Sequence, residues 1–515
     1  MTQTSSEQQP IGAVMTPLKW AAWVVKKNQI FEHWMKGATV FEPTAGEGNF
    51  LEALIVVALE NGVRVRRDML ERLFAIEREE RFVAGFFARM RERYRLDFPE
   101  RNFNTQDFIL SENSVRADIV VGNPPWQNFS DLPPLYKERL KPQFSKYHLV
   151  PDPQALLLGS SRIDIASLII AKSLTVNLKK RGSAYFFMPL SILLNDSAHR
   201  AFRSYHLGGV HFAVTEVYDF NNNRIFNGIS TRYGLACFKR DDKQRFPIPY
   251  FVHEETGWSR RLARPIFGTD DPLSITDDTL ETVRAAKAFQ KIEVPLASRP
   301  RQGANTCGAN HVFVFDSITK CNDKTAVARN RANQEVVLPS KYLFPLAAKE
   351  NFNQDEPVGR RFVLLPYHTD TGKPLEASEI AAEPELHDYL HSQKFALQNR
   401  KGVLINVWIA RGYWWALLGV GPYSFAPYKI MWEAYGSKRF IPKIFSGGGE
   451  RVWQGNQSLH AYIPLGNYTR AKIIEKGLRH PFVQEYLASQ RMEGTCNWAQ
   501  PGRIGKLLEF VDECG

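Results

Sequence analysis

The four residues Asn123-Pro124-Pro125-Trp126 form the most chemically specific pattern in the sequence. They follow the apolar run Ala117–Val121, which is typical of a buried β-strand. Consecutive prolines restrict φ and donate no N–H, so they would hold the Asn123 side-chain oxygen and the Pro124 carbonyl in a fixed arrangement. Two such acceptors, bonded to the N–H groups of an aromatic amine, would favour a pyramidal nitrogen whose lone pair faces an electrophile. Trp126 would supply a flat face on which the ring of that amine stacks.

A glycine turn lies upstream of this tetrad, in the segment 39–51 that reads TVFEPTAGEGNFL. Gly46 and Gly48 come between a strand-like run and a helical pattern, where a ligand can approach both the backbone and the N-terminus of a helix. Glu42, at the end of the strand, can bind an ammonium group. The spacing is not that of the GxGxxG fingerprint of dinucleotide-binding proteins.

Two acidic residues follow the next two predicted strands. Glu77 closes the run Arg72–Ile76, at the position where a carboxylate is expected to bind ribose hydroxyls. Asp107 is an acceptor for an adenine amino group, and Phe108 beside it is an apolar wall. Taken singly, Glu77 is typical of a helix cap and Asp107 of a loop, but their order along the chain favours one nucleoside-binding site.

These residues require an α/β domain, which we predict over residues 14–240 after a polar tail at 1–13. Strand-like runs alternate with helical patterns, which indicates a Rossmann-like, doubly wound and mostly parallel sheet. A helix is expected over Asp164–Lys180, and residues 214–239 predict an antiparallel hairpin at the edge of the sheet. The clearest predicted strands are Ala38–Phe41, Arg72–Ile76, Ala117–Val121 and Ala184–Met188.

The rest of the chain predicts a linker and a second domain. Residues 241–272 are polar and Pro-rich, whereas 273–515 predict a mixed α/β domain. Within it, segment 401–480 carries 11 Lys or Arg against 3 Asp or Glu. Cations interleaved with aromatic residues suit a surface that follows phosphates and contacts bases, although Trp414 and Trp415 are also typical of a core. The residues concerned are Arg411, Lys429, Lys438, Arg439, Lys443, Tyr413, Trp414, Trp415, Tyr428 and Trp432.

The composition of the 515 residues agrees with two folded domains, because 44% are hydrophobic and 23% charged. The net charge of +12 favours a polyanionic partner. Five cysteines without a CxxC pair predict neither a metal site nor disulfides, and fit a reducing cytosol. The N-terminal residues lack the pattern of a signal peptide, and no long apolar run predicts a membrane span, so we expect a soluble cytoplasmic protein.

With these motifs in this order, the chain resembles the amino-group methyltransferases of restriction-modification and phage-defence systems, in the gamma-class motif order, which act on adenine N6. The resemblance covers residues 14–240 and implies S-adenosyl-L-methionine as the cofactor and double-stranded DNA as the partner. The N6 atom of a paired adenine is inaccessible in the duplex, so the base must be flipped out. Trp126 stands where the family usually has Tyr or Phe, and Glu47 where it often has Thr. Asp164 falls at the fifth motif of the family.

The resemblance also implies roles for individual residues. Thr16 and Pro17 would contact the methionine carboxylate, and Phe226 would be a second aromatic residue against the flipped base. The implied cofactor-binding residues are Thr16, Pro17, Glu42, Pro43, Ala45, Gly46, Gly48, Phe50, Glu77, Asp107, Phe108 and Asn123. The implied catalytic residues are Asn123, Pro124, Pro125, Trp126 and Phe226.

The second domain resembles the target-recognition region of this family, less specifically, in segment 301–310 and the HVFVF run that follows. Three alternatives stay open: a methyltransferase acting on RNA or a protein glutamine, a bifunctional enzyme that also cuts DNA, and a non-catalytic DNA-binding subunit of a defence complex. The tripeptide Asp241-Asp242-Lys243 lacks a convincing partner motif, so we expect no nuclease activity. A separate restriction nuclease or defence-complex subunits would then be partners, in association with the nucleoid of a prokaryotic cell.

Overall fold

A computed structural model of the chain describes residues 14–150, 163–195, 198–220, 225–226, 229, 231–276, 279–320, 324–331, 333–354, 357–435, 440–447, 451–456, 458–490 and 499–512. The chain divides into two compact units, whose boundary lies between Arg284 and Ala285.

The N-terminal unit is built on one large sheet. In the described residues its strand order is β11-β10-β9-β7-β8-β5-β4-β1-β2-β3, and β6 pairs with β7. The strands are β1 Val40–Glu42, β2 Leu73–Glu77, β3 Phe103–Thr105, β4 Ala117–Gly122, β5 Leu178–Pro189, β6 His206–Leu207, β7 Val210–Asp219, β8 Tyr233–Arg240, β9 Ile248–Glu254, β10 Gly257–Arg264 and β11 Ser274–Thr276. The helices are α1 Leu18–Lys27, α2 Ile30–Met35, α3 Asn49–Glu60, α4 Arg67–Leu70, α5 Glu80–Tyr94, α6 Pro134–Lys146, α7 Ile165–Lys172, α8 Ser191–Leu194 and α9 Thr279–Ala288, which spans the boundary between the units.

Strands β3, β2, β1, β4 and β5 are mutually parallel, and this confirms the doubly wound α/β fold. The side chains of successive residues of β4 pack into two different hydrophobic cores, one on each face of the sheet. Val120 packs with α6 and α7 on one face of the sheet, whereas Ile119 and Val121 pack with α1, α3 and α5 on the other. The apolar run of β4 is thus buried on both faces, as expected of a central parallel strand.

Three features of this unit differ from the sequence predictions. The hairpin of β7 and β8 is antiparallel, but it does not lie at the edge, because β9 pairs in parallel with β7 and the sheet continues to β11. Residues 241–272 therefore contain two strands rather than a linker. β9 contains a proline and β10 carries three arginines, and most residues of both strands are only partly buried, so the segment had the composition of a loop. Helix α7 ends at Lys172, and a short π-helical turn leads into β5.

The C-terminal unit is mixed α/β, as predicted. Its described strands form sheets in the orders β12-β22, β13-β21-β19-β20 and β16-β15-β14-β18-β17. The strands are β12 Ile292–Pro295, β13 Arg301–Gln302, β14 Val314–Lys320, β15 Thr325–Asn330, β16 Glu335–Pro339, β17 Leu343–Leu346, β18 Arg361–Leu364, β19 Tyr428–Glu433, β20 Lys443–Ser446, β21 His460–Leu465 and β22 Leu508–Val511. The helices are α10 Asn310–Phe313, α11 Ala377–Ala381, α12 Pro384–Ser392, α13 Lys394–Gln398, α14 Val403–Ala410, α15 Tyr468–Leu478, α16 Pro481–Ser489 and α17 Pro501–Gly505.

Four members of the predicted basic and aromatic surface are buried in this unit. Trp414, Trp415 and Trp432 are 7%, 3% and 0% exposed, and Lys429 is 1% exposed. Burial lowers the pKa of Lys429 to about 7. Both faces of β19 are buried, which encloses Lys429 and Trp432, and Trp414 and Trp415 pack into a hydrophobic core. These four side chains therefore do not form a phosphate-binding surface. Arg411 is exposed, and Lys438 and Arg439 lie outside the described residues.

Neither a membrane-spanning helix nor a cluster of metal ligands is present in the part of the chain that the structure describes. No helix there is long and apolar enough to span a membrane. No three His, Cys, Asp or Glu side chains in the same residues are grouped so that they could share a metal ion.

Candidate active site

Gly46 and Gly48 form the turn between β1 and α3. Their φ angles are +52° and +76°, in the left-handed region that residues with a Cβ rarely adopt. A Cβ on Gly48 would lie 2.5 Å from the Phe86 ring, and one on Gly46 would lie 2.9 Å from the Met15 sulfur. Only glycine therefore lets the chain turn this sharply at the carboxyl end of β1.

Glu42 and Glu77 end the neighbouring parallel strands β1 and β2 and line one cavity. The buried Glu42 carboxylate accepts the Leu51 N–H at 3.4 Å, in the first turn of α3. Burial raises the pKa of Glu42 well above its ordinary value. Glu77 accepts the Gly46 N–H at 2.7 Å and the Glu79 N–H at 2.9 Å. A buried carboxylate is stabilised by a cation beside it, so Glu42 fits an ammonium group.

Asp107 follows β3, and hydrogen bonds hold both of its carboxylate oxygens. Oδ1 accepts the N–H groups of Ile109 and Leu110 at 2.9 and 3.1 Å. Oδ2 accepts the Tyr136 hydroxyl at 2.8 Å, and Tyr136 reaches it from α6. The carboxylate is therefore oriented before any ligand binds.

Lys172, at the end of α7, holds the backbone of the segment that follows Asp107. Its side chain is buried, and Nζ donates to the carbonyls of Phe108, Ile109 and Ser111 at 2.6, 3.1 and 2.6 Å. The ammonium also lies 5.0 Å from the centre of the Phe108 ring. Burial lowers the pKa of Lys172 to about 8. Three carbonyl acceptors compensate the burial of this cation, so the segment 107–111 is firmly held.

Asn123 follows β4 directly and lines the same cavity. Its side-chain Nδ2 donates to the Val14 carbonyl at 2.9 Å. Its Oδ1 is buried and accepts no hydrogen bond from any part of the chain that the structure describes. A buried acceptor without a donor costs roughly 1–3 kcal/mol, which a ligand N–H would recover.

Trp126 belongs to an aromatic cluster with Phe226 and Tyr233. Its ring centre lies 5.2 Å from each of the other two, edge-on to Phe226 and tilted against Tyr233. Phe226 is 2% exposed and also packs edge-on against Phe187 at 5.3 Å. The Tyr233 hydroxyl accepts the N–H groups of Ile225 and Phe226 at 2.9 and 3.3 Å, which fixes the described part of the loop that carries Phe226.

Asp164 caps α7. Its Oδ1 accepts the Ala166 N–H at 2.8 Å, and the residue is 8% exposed. Burial raises its pKa to about 7, against the opposing effect of the backbone hydrogen bonds. Asp164 thus fixes the start of the helix whose Ile165 and Ile169 face the cavity and whose Lys172 holds the segment 107–111.

One cavity joins most of the predicted site residues at the carboxyl ends of β1, β2, β3 and β4. It encloses about 870 Å³ of empty space, including its mouth open to solvent. The predicted residues that line it are Thr16, Glu42, Pro43, Ala45, Gly46, Glu77, Asp107, Phe108, Asn123 and Pro125. The three carboxylates of Glu42, Glu77 and Asp107 thus lie in one cavity, and the set fits the ammonium, ribose and adenine groups of S-adenosylmethionine.

Other predicted residues do not line this cavity: Pro17, Gly48, Phe50, Pro124, Trp126 and Phe226. Phe50 is a core residue, 1% exposed and 6.3 Å from the Phe187 ring centre, because the first turn of α3 points it into the sheet. Pro17 precedes α1. The sequence reasoning missed Tyr136, Ile165, Ile169 and Lys172. The isoleucines have helical spacing in an apolar run, but nothing in the sequence marked Tyr136.

A parallel sheet in the order β3-β2-β1-β4-β5, followed by antiparallel β8 and then β7, together with this cavity, defines a class I S-adenosylmethionine-dependent methyltransferase fold. Residues 78–226 match the family described as Eco57I restriction-modification methylase. This segment of the N-terminal unit is therefore similar to a restriction-modification methylase domain, and the cofactor that the fold and this family imply is S-adenosylmethionine.

Comparisons over longer stretches agree with this assignment. The chain is 23% identical over 239 residues to the Type II methyltransferases M.HincII of Haemophilus influenzae and M.HindII of H. influenzae strain ATCC 51907 / DSM 11121 / KW20 / Rd. Each match covers 45% of this chain, but only 38% and 36% of the respective relative. The Type IIL restriction-modification enzyme MmeI, solved in complex with DNA, shares the fold with a TM-score of 0.52 at 13% identity, over 87% of this chain and 60% of MmeI.

Proposed function

We propose that the protein is a site-specific DNA adenine N6-methyltransferase that transfers a methyl group from S-adenosylmethionine to a flipped-out adenine, in a restriction-modification or phage-defence system. The observation that carries the proposal is the buried Asn123 Oδ1, which lacks a donor among the described residues and lies at the cofactor cavity. An amino group held there would approach the methyl donor directly.

Asn123 and Pro124 would bind the two N–H groups of the target amine. Because Nδ2 of Asn123 donates to Val14, Oδ1 is the free acceptor of the side chain. Pro124 is followed by a second proline, so its carbonyl is the next rigid acceptor of the chain. Two acceptors draw the nitrogen lone pair away from the aromatic ring and towards the cofactor, which supplies an electrophilic methyl group.

Glu42, Glu77 and Asp107 would hold the cofactor at its ammonium, ribose and adenine groups. Their order around the cavity follows the order of β1, β2 and β3, which sets the reactive end of the cofactor beside the tetrad. Thr16 also lines the cavity, two residues after Val14, whose carbonyl accepts the Asn123 amide N–H. Thr16 would bind the methionine carboxylate of the cofactor.

The aromatic cluster of Trp126, Phe226 and Tyr233 would receive the extruded base. Flipping costs a few kcal/mol, and stacking on an aromatic side chain contributes about 1–3 kcal/mol per base. Trp126 is only partly buried, so part of its side chain is accessible to a base. Phe226 would support Trp126 from its edge rather than stack on the base itself.

Double-stranded DNA is the proposed substrate, with the C-terminal unit as the recognition domain. The net charge of +12 supports a polyanionic partner. The description of the matched family as a restriction-modification methylase supports a separate restriction nuclease or defence-complex subunits as partners. The place of action would be the cytoplasm of a prokaryotic cell.

The deciding experiment measures transfer of a labelled methyl group to duplex DNA, RNA and protein by the purified chain. We expect label only in DNA, and single-molecule sequencing should place it on adenine N6 within one sequence context. Asn123→Ala is the inactive control. Label in RNA or in a protein glutamine would replace the proposal by those alternatives, and phage protection that survives Asn123→Ala would indicate a non-catalytic subunit.

A further inference from the structure

The Asp107 carboxylate has one acceptor position left for a ligand. An ionised carboxylate offers about four lone-pair positions. Two at Oδ1 are used by Ile109 and Leu110, and one at Oδ2 is used by the Tyr136 hydroxyl. Because the carboxylate lines the cofactor cavity, its remaining position is available to an amino group there.

Tyr136 determines how that remaining position is aimed. The two hydrogen bonds from the backbone fix the position of Oδ1. The carboxyl group can still rotate about Oδ1 unless a further hydrogen bond fixes Oδ2. The hydroxyl that holds Oδ2 comes from a separate element, α6, and is 29 positions away in the chain. Burial, together with the negative charge of Asp107, raises the pKa of Tyr136, so its hydroxyl stays a donor at neutral pH.

The backbone of the same segment is fixed from α7. Lys172 binds the carbonyls of Phe108, Ile109 and Ser111, so the segment cannot shift to follow a reoriented carboxylate. Ile165 and Ile169, one and two turns earlier on the face that leads to Lys172, line the cavity. The carboxylate plane is therefore set mainly by Tyr136.

We propose that Tyr136 is a positioning residue that aims the Asp107 carboxylate at the 6-amino group of the cofactor's purine and thereby selects adenine at this site. This inference rests on the proposed role of Asp107 in cofactor binding. The opposite arrangement is a plug, in which Tyr136 occupies Asp107 only until the cofactor displaces it.

The test compares Tyr136→Phe with the unaltered full-length chain by calorimetric titration with two ligands. One is S-adenosylhomocysteine, and the other is its analogue with hydrogen in place of the purine 6-amino group. Loss of one hydrogen bond to a charged group predicts that Tyr136→Phe weakens S-adenosylhomocysteine binding about tenfold. Affinity for the analogue should be unchanged, because it has no amino group for Asp107 to bind.

Tyr147→Phe is the matched control, since Tyr147 directly follows the same helix, is buried and does not line the cavity. It should bind both ligands as the unaltered chain does. Equal weakening for both ligands in Tyr136→Phe would overturn the proposal in favour of a general packing role, and tighter binding would overturn it in favour of the plug. Because binding is measured without methyl transfer, the result does not depend on which base or macromolecule is methylated.

Discussion

The Asn123 side-chain Nδ2 donates to the Val14 carbonyl at 2.9 Å, across 109 positions of the chain. This bond joins the tetrad to the segment before α1, which lines the same cavity. Because it occupies the nitrogen of the amide, the oxygen is the atom left for a substrate.

Asn123→Ala should lower the rate of methyl transfer by about 100-fold or more, as the loss of one preorganised group at a reacting centre does in other enzymes. Cofactor affinity should fall far less, since Glu42, Glu77 and Asp107 remain. Single-turnover assays and calorimetry measure the two quantities. Asn28→Ala is the control, because the Asn28 amide also donates to a carbonyl, that of Val24 at 2.9 Å, but lies outside the cavity. A rate within about tenfold of the unaltered enzyme would remove Asn123 from the chemistry.

Trp126→Ala should weaken methylation of DNA and leave cofactor binding unchanged, because Trp126 does not line the cofactor cavity. The loss of stacking should lower kcat/KM for DNA by the factor that corresponds to about 1–3 kcal/mol of activation free energy. Trp126→Phe keeps an aromatic face and should retain most of the activity. If Trp126→Ala abolished cofactor binding, our separation of the cofactor and base sites would be wrong.

Lys172→Met should lower the free energy of unfolding by about 3 kcal/mol, because three buried carbonyls lose a charged donor. Urea denaturation of the full chain measures the change. Lys179→Met is the comparison, since the Lys179 pair with Asp118 is 41% exposed on both sides and should contribute at most about 1 kcal/mol. Equal effects of the two substitutions would show that Lys172 does not hold the segment 107–111.

The raised pKa of Asp164 predicts a pH-dependent stability with a defined sign. Its folded pKa of about 7 exceeds the unfolded value of about 3.9, so the folded chain binds the proton more tightly. The stability that the protonated Asp164 contributes is fully present below a pH of about 4 and is lost as the pH rises through 7. Between pH of about 5.5 and 8, the unaltered chain should lose roughly 2 kcal/mol of stability relative to Asp164→Asn.

Urea denaturation at the two pH values measures this difference. Asp118→Asn serves as the control whose effect should be the same at both pH values. Its hydrogen bonds with Thr39 and Lys179 lower the Asp118 pKa despite the partial burial that opposes them, so its carboxylate stays ionised in this range in the folded and the unfolded chain. A difference between the unaltered chain and Asp164→Asn that does not change with pH would contradict the burial effect.

The parallel half of the fold could be predicted because its signals are local. β1, β2 and β4 are short apolar runs, each ended by a glycine turn, an acid or the tetrad. β9 and β10 could not be found in this way, since β9 contains a proline, which argues against a strand, and β10 carries three arginines. β9 pairs with β7 and β10 pairs with β9, and no local pattern reveals this pairing.

The same distinction applies to the site. Glu42 and Glu77 end a strand, and Asp107 and Asn123 follow one. Parallel strands bring their carboxyl ends together, so the position of each residue in the sequence was sufficient to place it at the cavity. Tyr136 and Lys172 act on residues 29 and 61 to 64 positions away, through contacts that exist only in the folded chain. Phe50 does not line the cavity, because proximity to the glycine turn in sequence does not determine which way a helical side chain points.

The pairing of β7 with β9 determines where a recombinant fragment of the N-terminal unit can end. A fragment cut after residue 240 would expose the backbone edge of β7 and remove Tyr250, whose hydroxyl donates to the buried Asp219 at 2.6 Å. An exposed strand edge is a template for aggregation. A fragment that extends to Arg284 keeps β9 to β11, so the edge of its sheet is the short strand Ser274–Thr276, and a short edge strand offers little backbone for self-association.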